Sequence, residues 1–534
     1  MKKFVWISKE LGGCMKKAEC FLIVVTILSG LVVASSPVPD YLYTQGVPFD
    51  MDSHITSTTV FQWFVSDGGQ VSGPWAPMEG RAAWTGEPDW WQSQIKQMML
   101  ADIDVIYVHV ARPLPLIGGD WYSPLRRKLL TALSQMREAG YDVPKVVPYL
   151  DLACTGTSFN VATSEGKDGF VGEYTAFYND YFATNPDQYA DSYLAQIDGR
   201  VVLMLYELST LVNPGSLSRY DVESRLAANL GANHPVFNDE VYLIGNSPAG
   251  TYLSWSDERV WNFGIASLYY YATNHNNILS VVLKGGYWDQ NINTPGNFLP
   301  RDGGVHFRNA WNSVLANSDI DRVYVEGWNE YDEGSGIYAA NTGDPYIVSP
   351  NPNTDTWSST NDPFEYIHTT ASGARQFNDY PDLDSKILWN NIPSCMAAGQ
   401  QYTAYVVVRN QGDLLWNEAN QFRFSQKEAD STLFGVGGQT RWTIDDVSNE
   451  VPLYGGVFRG RPVTFELHLQ APATVGTYST HWGMVQDGGA GRFGEELTKT
   501  IKVFTDPSFF QADLNGDCSV DMLDLKILVE NWLK

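Results

Sequence analysis

Short apolar runs alternate with stretches of helical periodicity from about residue 40 to about residue 380. The runs are Val60–Val65, Val105–Val110, Lys145–Leu150, Val201–Tyr206, Val241–Gly245, Leu279–Leu283 and Arg322–Val325, and a weaker one lies near Phe263–Ile265. Between them Trp91, Ile95, Met98 and Met99 recur at the spacing of one helix face, as do Leu125, Leu129, Leu133 and Met136; Gly140 then stands where a helix C-cap glycine belongs. Strands that alternate with helices pair in parallel, and about eight such units predict an α/β fold of the (β/α)8 barrel kind. A doubly wound open sheet is the alternative. It is weakened because no glycine-rich phosphate loop follows the first strand.

The pattern changes near residue 384. Tyr402–Val408, Val463–Leu469 and Thr477–Met484 alternate with period two, and turns recur at Asn410-Gln411-Gly412, Gly455-Gly456 and Gly488-Gly489. That predicts an all-β sandwich over 384–505. A third unit occupies 511–534, and the barrel region is bounded at 37–380. The polar stretch Ser349–Asn361 follows the last barrel strand, where binding loops belong.

Residues 1–36 read as a secretory signal. Lys16 and Lys17 give the positive region, Phe21–Val33 the apolar run, and Val32-Val33-Ala34 a small-residue cleavage site; Met15 is a second candidate start. The mature chain is expected to be secreted, extracellular or periplasmic, with no membrane insertion. The full 534 residues carry 35 Lys and Arg against 61 Asp and Glu, a net charge of 35 − 61 = −26. Such a surface repels phosphate backbones and anionic lipid, which excludes nucleic acid as a partner. The 18 Trp exceed what cores require and suit stacking on sugar faces. Cys154, Cys395 and Cys518 are too widely spaced to read as a disulfide framework or a zinc site; at most one bridge is possible among them, and none is favoured.

The densest chemistry is Val323-Tyr324-Val325-Glu326-Gly327-Trp328-Asn329-Glu330-Tyr331-Asp332-Glu333-Gly334. A β-branched strand runs straight into acidic residues, and in a barrel the C-terminal strand end opens onto the active site. Crowded carboxyls raise one another's pKa, and a protonated carboxyl beside an ionised one is what glycosidic cleavage uses. Spacing alone leaves a solvated loop or a calcium site equally open. Other polar residues at strand ends, namely His109, Asp151, Glu207, Asn246 and Asp289, fit a shell that holds sugar hydroxyls, as do Glu326 and Asn329; each is equally a structural cap. Tyr287-Trp288 beside Asp289 is a candidate sugar platform. No serine, zinc or phosphate-loop signature is present.

The segment Trp328-Asn329-Glu330-Tyr331-Asp332-Glu333-Gly334 resembles the Asn-Glu-Trp-x-Glu-Gly motif of glycoside hydrolase family 99, the endo-α-mannosidases, and of WbsX-like proteins. Pro295-Gly296, Arg301-Asp302-Gly303-Gly304, the stretch through Trp311 and Leu315, and Asp362-Pro363-Phe364-Glu365-Tyr366 stand in the same order, so the likeness covers about 285–375. Family 71, the fungal α-1,3-glucanases, has a comparable segment. The resemblance implies a retaining, endo-acting glycosidase on an α-linked polysaccharide, with no catalytic cofactor. It makes Glu330 the base that deprotonates the sugar 2-hydroxyl and Glu333 the proton donor. The chain departs from the motif at Tyr331-Asp332, at Tyr338 and in the extra charges of Glu326 and Asp332. A rival reading is a non-catalytic carbohydrate-binding or surface adhesion protein on a decayed barrel, which the intact Glu330 and Glu333 pair disfavours.

Trp416, Ala471–Tyr478 and Trp482-Gly483-Met484-Val485 resemble the immunoglobulin-like domain named after the next-to-BRCA1 receptor. It is expected to be a spacer packed on the barrel, or else a carbohydrate-binding module using Trp416, Trp442 or Trp482. In the tail, Asp513, Asn515, Asp517, Asp521 and Asp524 fall at positions 1, 3, 5, 9 and 12 of a calcium loop, with Ser519 at position 7 and Cys518 at the position usually held by glycine. Leu525, Leu528 and Trp532 follow on one helix face. The segment resembles one repeat of a type I dockerin, which implies structural Ca2+ and a cohesin-bearing surface protein as a partner.

Overall fold

The computed structural model describes residues 49–64, 73–110, 122–153, 158–185, 193–208, 211–231, 240–247, 250–260, 268–290, 293, 295–345, 355–444, 453–505, 514, 518 and 521–532. The expected signal segment, Cys154 and the run near Phe263–Ile265 lie outside these residues. Among the described residues no helix is long and apolar enough to cross a membrane.

Eight parallel strands form a nearly closed, barrel-like sheet. They are β1 (Ile55–Val60), β2 (Val105–Val110), β3 (Lys145–Asp151), β4 (Arg200–Tyr206), β5 (Tyr242–Asn246), β6 (Glu258–Val260), β7 (Ile278–Leu283) and β8 (Arg322–Val325). The hydrogen-bonded order is β6-β5-β4-β3-β2-β1-β8-β7, and strand Tyr270–His275 pairs antiparallel with the free edge of β7. Among the described residues the ladder is open between β6 and strand Tyr270–His275, and across that opening the Ser280 hydroxyl of β7 donates to Glu258 Oε1 at 2.7 Å.

Helices α1 (Pro88–Leu100), α2 (Tyr122–Glu138), α3 (Ser164–Thr184), α4 (Arg219–Leu230), α5 (Val305–Leu315) and α6 (Glu365–Phe377) flank the sheet. Their starts follow local chemistry: Thr163 caps α3 by accepting from Gly166 N–H, and Ser218 with Asp221 forms a capping box on α4. Among the described residues no helix stands between β5 and β7, so the helical belt is open where the sheet is.

The expected first strand, Val60–Val65, is displaced: β1 ends at Val60, where that run begins. Ile55-Thr56-Ser57-Thr58-Thr59-Val60 is β-branched but polar, so it does not read as an apolar run. It is buried nonetheless, because Ser57 and Thr58 hydroxyls donate to the carbonyls of Val323 and Val325 at 3.1 and 2.9 Å.

Residues 385–504 form a two-sheet sandwich. One sheet orders β9 (Ser385–Asn390), β11 (Gln401–Asn410) and β14 (Pro462–Gln470). The other orders β10 (Cys395–Ala397), β16 (Gly491–Phe504), β15 (Gly476–Gln486), β12 (Phe422–Gln426) and β13 (Arg441–Thr443). Trp416, Trp442 and Trp482 are all buried in its core. These rings are therefore not an open sugar-stacking surface, which corrects the module reading based on them. The sandwich packs on the barrel: Arg459 enters a cleft holding Asp102 (2.6 Å), Asp104 (2.9 Å) and Asp413 (3.5 Å), and stacks on Tyr380.

Cys395 and Cys518 form a disulfide across 123 residues, the one bridge that the cysteine count allows but that spacing does not favour. Spacing was uninformative because the partners are 123 residues apart and are brought together only by the fold. The bridge ties the tail helix α7 (Met522–Trp532) to β10, and Cys518 has φ 64°, the left-handed region that favours glycine. Asp524 is buried: its Oδ1 accepts Leu514 N–H and its Oδ2 accepts Asp521 N–H, while Asp521 caps Leu523 N–H. Asp521 and Asp524 thus cap the start of α7, and Asp524 also ties Leu514 to it. Asp513, Asn515, Asp517 and Ser519 lie outside the described residues.

Candidate active site

Side-chain alternation along the strands separates two faces. Ile106, Val108, Leu203, Leu205, Val281, Leu283, Val323 and Val325 belong to the large cluster that the helices cover. Val105, Tyr107, Val147, Tyr149, Val202, Met204, Tyr242, Ile244, Val282 and Tyr324 fill the barrel interior. Continuing the inward parity to the C-terminal strand ends yields His109, Asp151, Tyr206, Asn246, Lys284 and Glu326. The interior therefore changes from apolar to polar at one mouth, which is where the loop carrying Glu330 and Glu333 begins.

That loop is held from several sides. Trp328 N–H donates to Thr59 C=O at 2.8 Å, and the Trp328 indole donates to Gln94 at 3.1 Å. Arg301, stacked between Trp357 and Tyr366, donates to the carbonyls of Gly334 (2.9 Å) and Gly336 (2.6 Å). Gly327 has φ 62°, and a Cβ there would lie 2.7 Å from that of Glu330. Only glycine lets the chain leave β8 and fold Glu330 back over it.

Glu330 and Glu333 are both partly buried and adjacent. Burial pushes the Glu330 carboxyl well above the usual carboxylate range; the charges of Glu333 and Asp332 add to this, and a hydrogen bond from the Glu333 N–H opposes it. Glu333 is raised by burial too. It is held back by the Lys284 ammonium and the Tyr287 hydroxyl, while Asp289 and Asp151 push it up. The pair therefore holds a proton where isolated carboxyls would not. With Lys284 and Tyr287 beside it, Glu333 is the member whose ionised form is better stabilised. Glu326, below them, is pushed up to about 8 by burial, against the pull of Lys284.

The other expected site residues separate into two groups. His109 Nε2 lies 3.1 Å from Asp151 Oδ2, its Nδ1 is buried without a hydrogen-bond partner, and burial lowers its pKa. Both amide atoms of Asn246 and Glu326 Oε2 are likewise buried and unpaired. These residues face the mouth. Asn329 does not: its amide accepts from Phe61 N–H (2.9 Å) and donates to Phe61 C=O (2.7 Å), so it clamps the loop after β1 and is corrected from substrate binding to a structural role. Asp289 organises its own loop, accepting from Asn297 N–H and from Asn293 at 2.6 Å. Glu207 is one step out of inward parity, has φ 59° and accepts from Leu208 N–H; Tyr206 takes the inward place. The Trp288 ring is buried, and its backbone N–H donates to Glu333 C=O at 2.8 Å, so it offers no open platform. Trp63, half-buried with its ring 4.2 Å from that of His109, lies nearer that description. Lys284, Tyr206 and Trp63 were missed, and Tyr287 was named only as part of the sugar platform. Strand parity would have found the first two.

Residues 393–503 match the family described as the Ig-like domain from next to BRCA1 gene. No curated protein sequence matches the chain. Among solved structures, the GH99 endo-alpha-mannosidase from Bacteroides thetaiotaomicron in complex with bis-tris propane is similar at 16% identity, over 60% of this chain and 97% of that one, with a TM-score of 0.41. A glycosyl hydrolase family 2 member from Bacteroides cellulosilyticus is similar at 9% identity over 86% of this chain and 46% of that one, with a TM-score of 0.26.

Proposed function

We propose that this chain is a glycoside hydrolase of the family 99 or 71 kind, built on a (β/α)8 barrel and cutting an α-linked polysaccharide by a retaining, endo-acting route. One observation carries the reading. Glu330 and Glu333 stand in one loop at the polar mouth of the barrel, joined by a Glu333 N–H bond to the Glu330 carboxyl, and both have raised pKa values. Such a pair keeps one carboxyl protonated and one ionised, the condition for assisting departure of a glycosidic oxygen. Glu326, Asn246 and His109 supply unpaired buried hydrogen-bonding atoms for sugar hydroxyls. In the motif's assignment Glu330 is the base on the 2-hydroxyl and Glu333 the donor. The local charges favour the resting proton on Glu330, so the two roles are open to direct test.

The test compares good and poor leaving groups. If Glu333 is the donor, Glu333→Gln keeps turnover on an activated aryl glycoside and loses about 100- to 10,000-fold on a polysaccharide. Glu330→Gln then fails on both. The opposite pattern reverses the roles, and full activity in either variant refutes the site. In the same reading the sandwich is a spacer, the 513–524 loop takes a structural Ca2+, and the tail docks a cohesin-bearing protein. The chain is exported, in keeping with a disulfide, which persists in oxidising compartments.

A further inference from the structure

We propose that Lys284 is a further positioning residue of this site: a buried counter-charge that holds Glu326 at the barrel floor and couples it to Glu333. The proposal rests on the reading of Glu330 and Glu333 as the acid–base pair. Lys284 and Glu326 are the first residues beyond β7 and β8. Leu283 and Val325 before them are partners in register, and Glu326 N–H donates to Leu283 C=O at 2.8 Å. Inward parity then makes the two side chains cross-strand neighbours inside the barrel. Lys284 Nζ lies 3.0 Å from Glu326 Oε1, with the side chains 2% and 4% exposed. The ammonium also lies 4.8 Å from the centre of the Tyr287 ring, whose hydroxyl bonds Glu333.

The groups facing this ion pair are overwhelmingly acidic. Glu330, Asp332 and Glu333 come from the loop after β8, Tyr287 and Asp289 from the loop after β7, Asp151 from β3, and Tyr206 from β4, with Glu207 just beyond β4 acting on Tyr206 from outside the inward row. His109 on β2 is favoured as the neutral imidazole, and Arg126 near it is committed to Asp180. Lys284 is thus the cation that answers both Glu326 and Glu333. A merely structural lysine could be replaced by an apolar residue of similar length with only a packing change. A counter-charge could not, because an opposite charge at this range moves a carboxyl by about 1–3 pKa units.

The experiment reads Glu333 protonation without substrate. The full-length chain is treated with a water-soluble carbodiimide and an amine nucleophile across a pH series. Modification at Glu326, Glu330 and Glu333 is then followed by peptide mass spectrometry. In Lys284→Met the pH of half-modification at Glu333 should rise by about 1–3 units, and Lys284→Arg should return it toward wild type. Glu326→Gln frees the ammonium for Glu333 and should lower that midpoint. A wild-type midpoint in a natively folded Lys284→Met overturns the proposal. If that variant does not fold, an unmoved midpoint in Glu326→Gln does so. Turnover of Glu330→Gln and Glu333→Gln is a separate measurement, so failure of the catalytic reading is distinguishable from failure of the coupling.

Discussion

Arg459→Met should weaken the join between sandwich and barrel in a pH-dependent way. The guanidinium faces three carboxylates, Asp102, Asp104 and Asp413, whose side chains are 2%, 1% and 3% exposed. Methionine keeps the stem on Tyr380 and removes the charge, leaving Arg375 and Lys145 as nearby cations. Removing one partner of a buried ion pair costs about 3–5 kcal/mol. At about 2–4 °C per kcal/mol for a unit of this size, the melting transition should fall by roughly 6–20 °C at neutral pH. Burial raises Asp104 to about 6 and Asp413 to about 8, and Arg459 pulls both down. Between the unfolded carboxyl range, near 4, and these values the folded state holds more protons than the unfolded one. Stability of the wild type should therefore decline as pH rises from about 4 to 8, by up to about 1.4 kcal/mol per unit for each such group. Without Arg459 both groups titrate still higher, so the cost of the substitution should be small at pH 5 and largest above pH 8. Calorimetry and denaturant unfolding at pH 5, 7 and 9 read this directly, and Asp413→Asn should shrink the cost at pH 9. A cost below 1 kcal/mol that does not vary with pH would refute the argument, since the cleft would then be held by packing and hydration rather than by charge.

Two further outcomes follow from the tail. Cys518→Ser opens a 123-residue loop, worth about 5 kcal/mol of chain entropy, so mild proteolysis should release α7 from the variant and spare it in the oxidised wild type; equal resistance would show that the tail docks without the bridge. EDTA should loosen the tail, read by the same proteolysis, and leave polysaccharide turnover unchanged, because the proposed acid–base chemistry uses no metal; loss of turnover would require a catalytic ion.

Legibility in the sequence tracked how local each signal is. β2, β3, β4, β7 and β8 are continuous apolar runs buried on both faces, so composition alone locates them. β1 was missed because its buried hydroxyls are satisfied by carbonyls of β8, more than 260 residues away. Glu330 and Glu333 stand out as candidates because strand, glycine and carboxylates are contiguous. Asn329 and Trp288 sit in the same dense stretches and were misassigned, since direction is decided by the fold: one clamps Phe61, the other is covered. Lys284 was passed over because it looks like an ordinary strand-end lysine. Its meaning appears only when β7 and β8 lie side by side.

The two ends of the barrel show why the mouth, and not any buried carboxylate, marks the site. Glu258 and Glu326 are both inward-facing glutamates with almost no exposure. Glu258, at the opposite end, is answered by Ser280 (2.7 Å), Tyr324 (2.6 Å) and Tyr242 (3.2 Å), with Arg322 nearby. The contacts from Ser280, Tyr324 and Arg322 reach Glu258 across the open side of the sheet, while Tyr242 lies on the neighbouring paired strand. Glu326 has Lys284 on one oxygen and nothing on the other, and Asn246 and His109 beside it also keep unpaired buried atoms. A buried polar atom left unpaired costs about 1–3 kcal/mol. Folding alone would favour apolar residues at these strand ends, as it does one layer down. At the Glu258 end Arg322 Nε is the unpaired atom of the layer, 3.8 Å from Glu258, whereas the mouth holds four such atoms on His109, Asn246 and Glu326; that imbalance is better explained by a hydroxyl-bearing ligand at the mouth than by a demand of the fold.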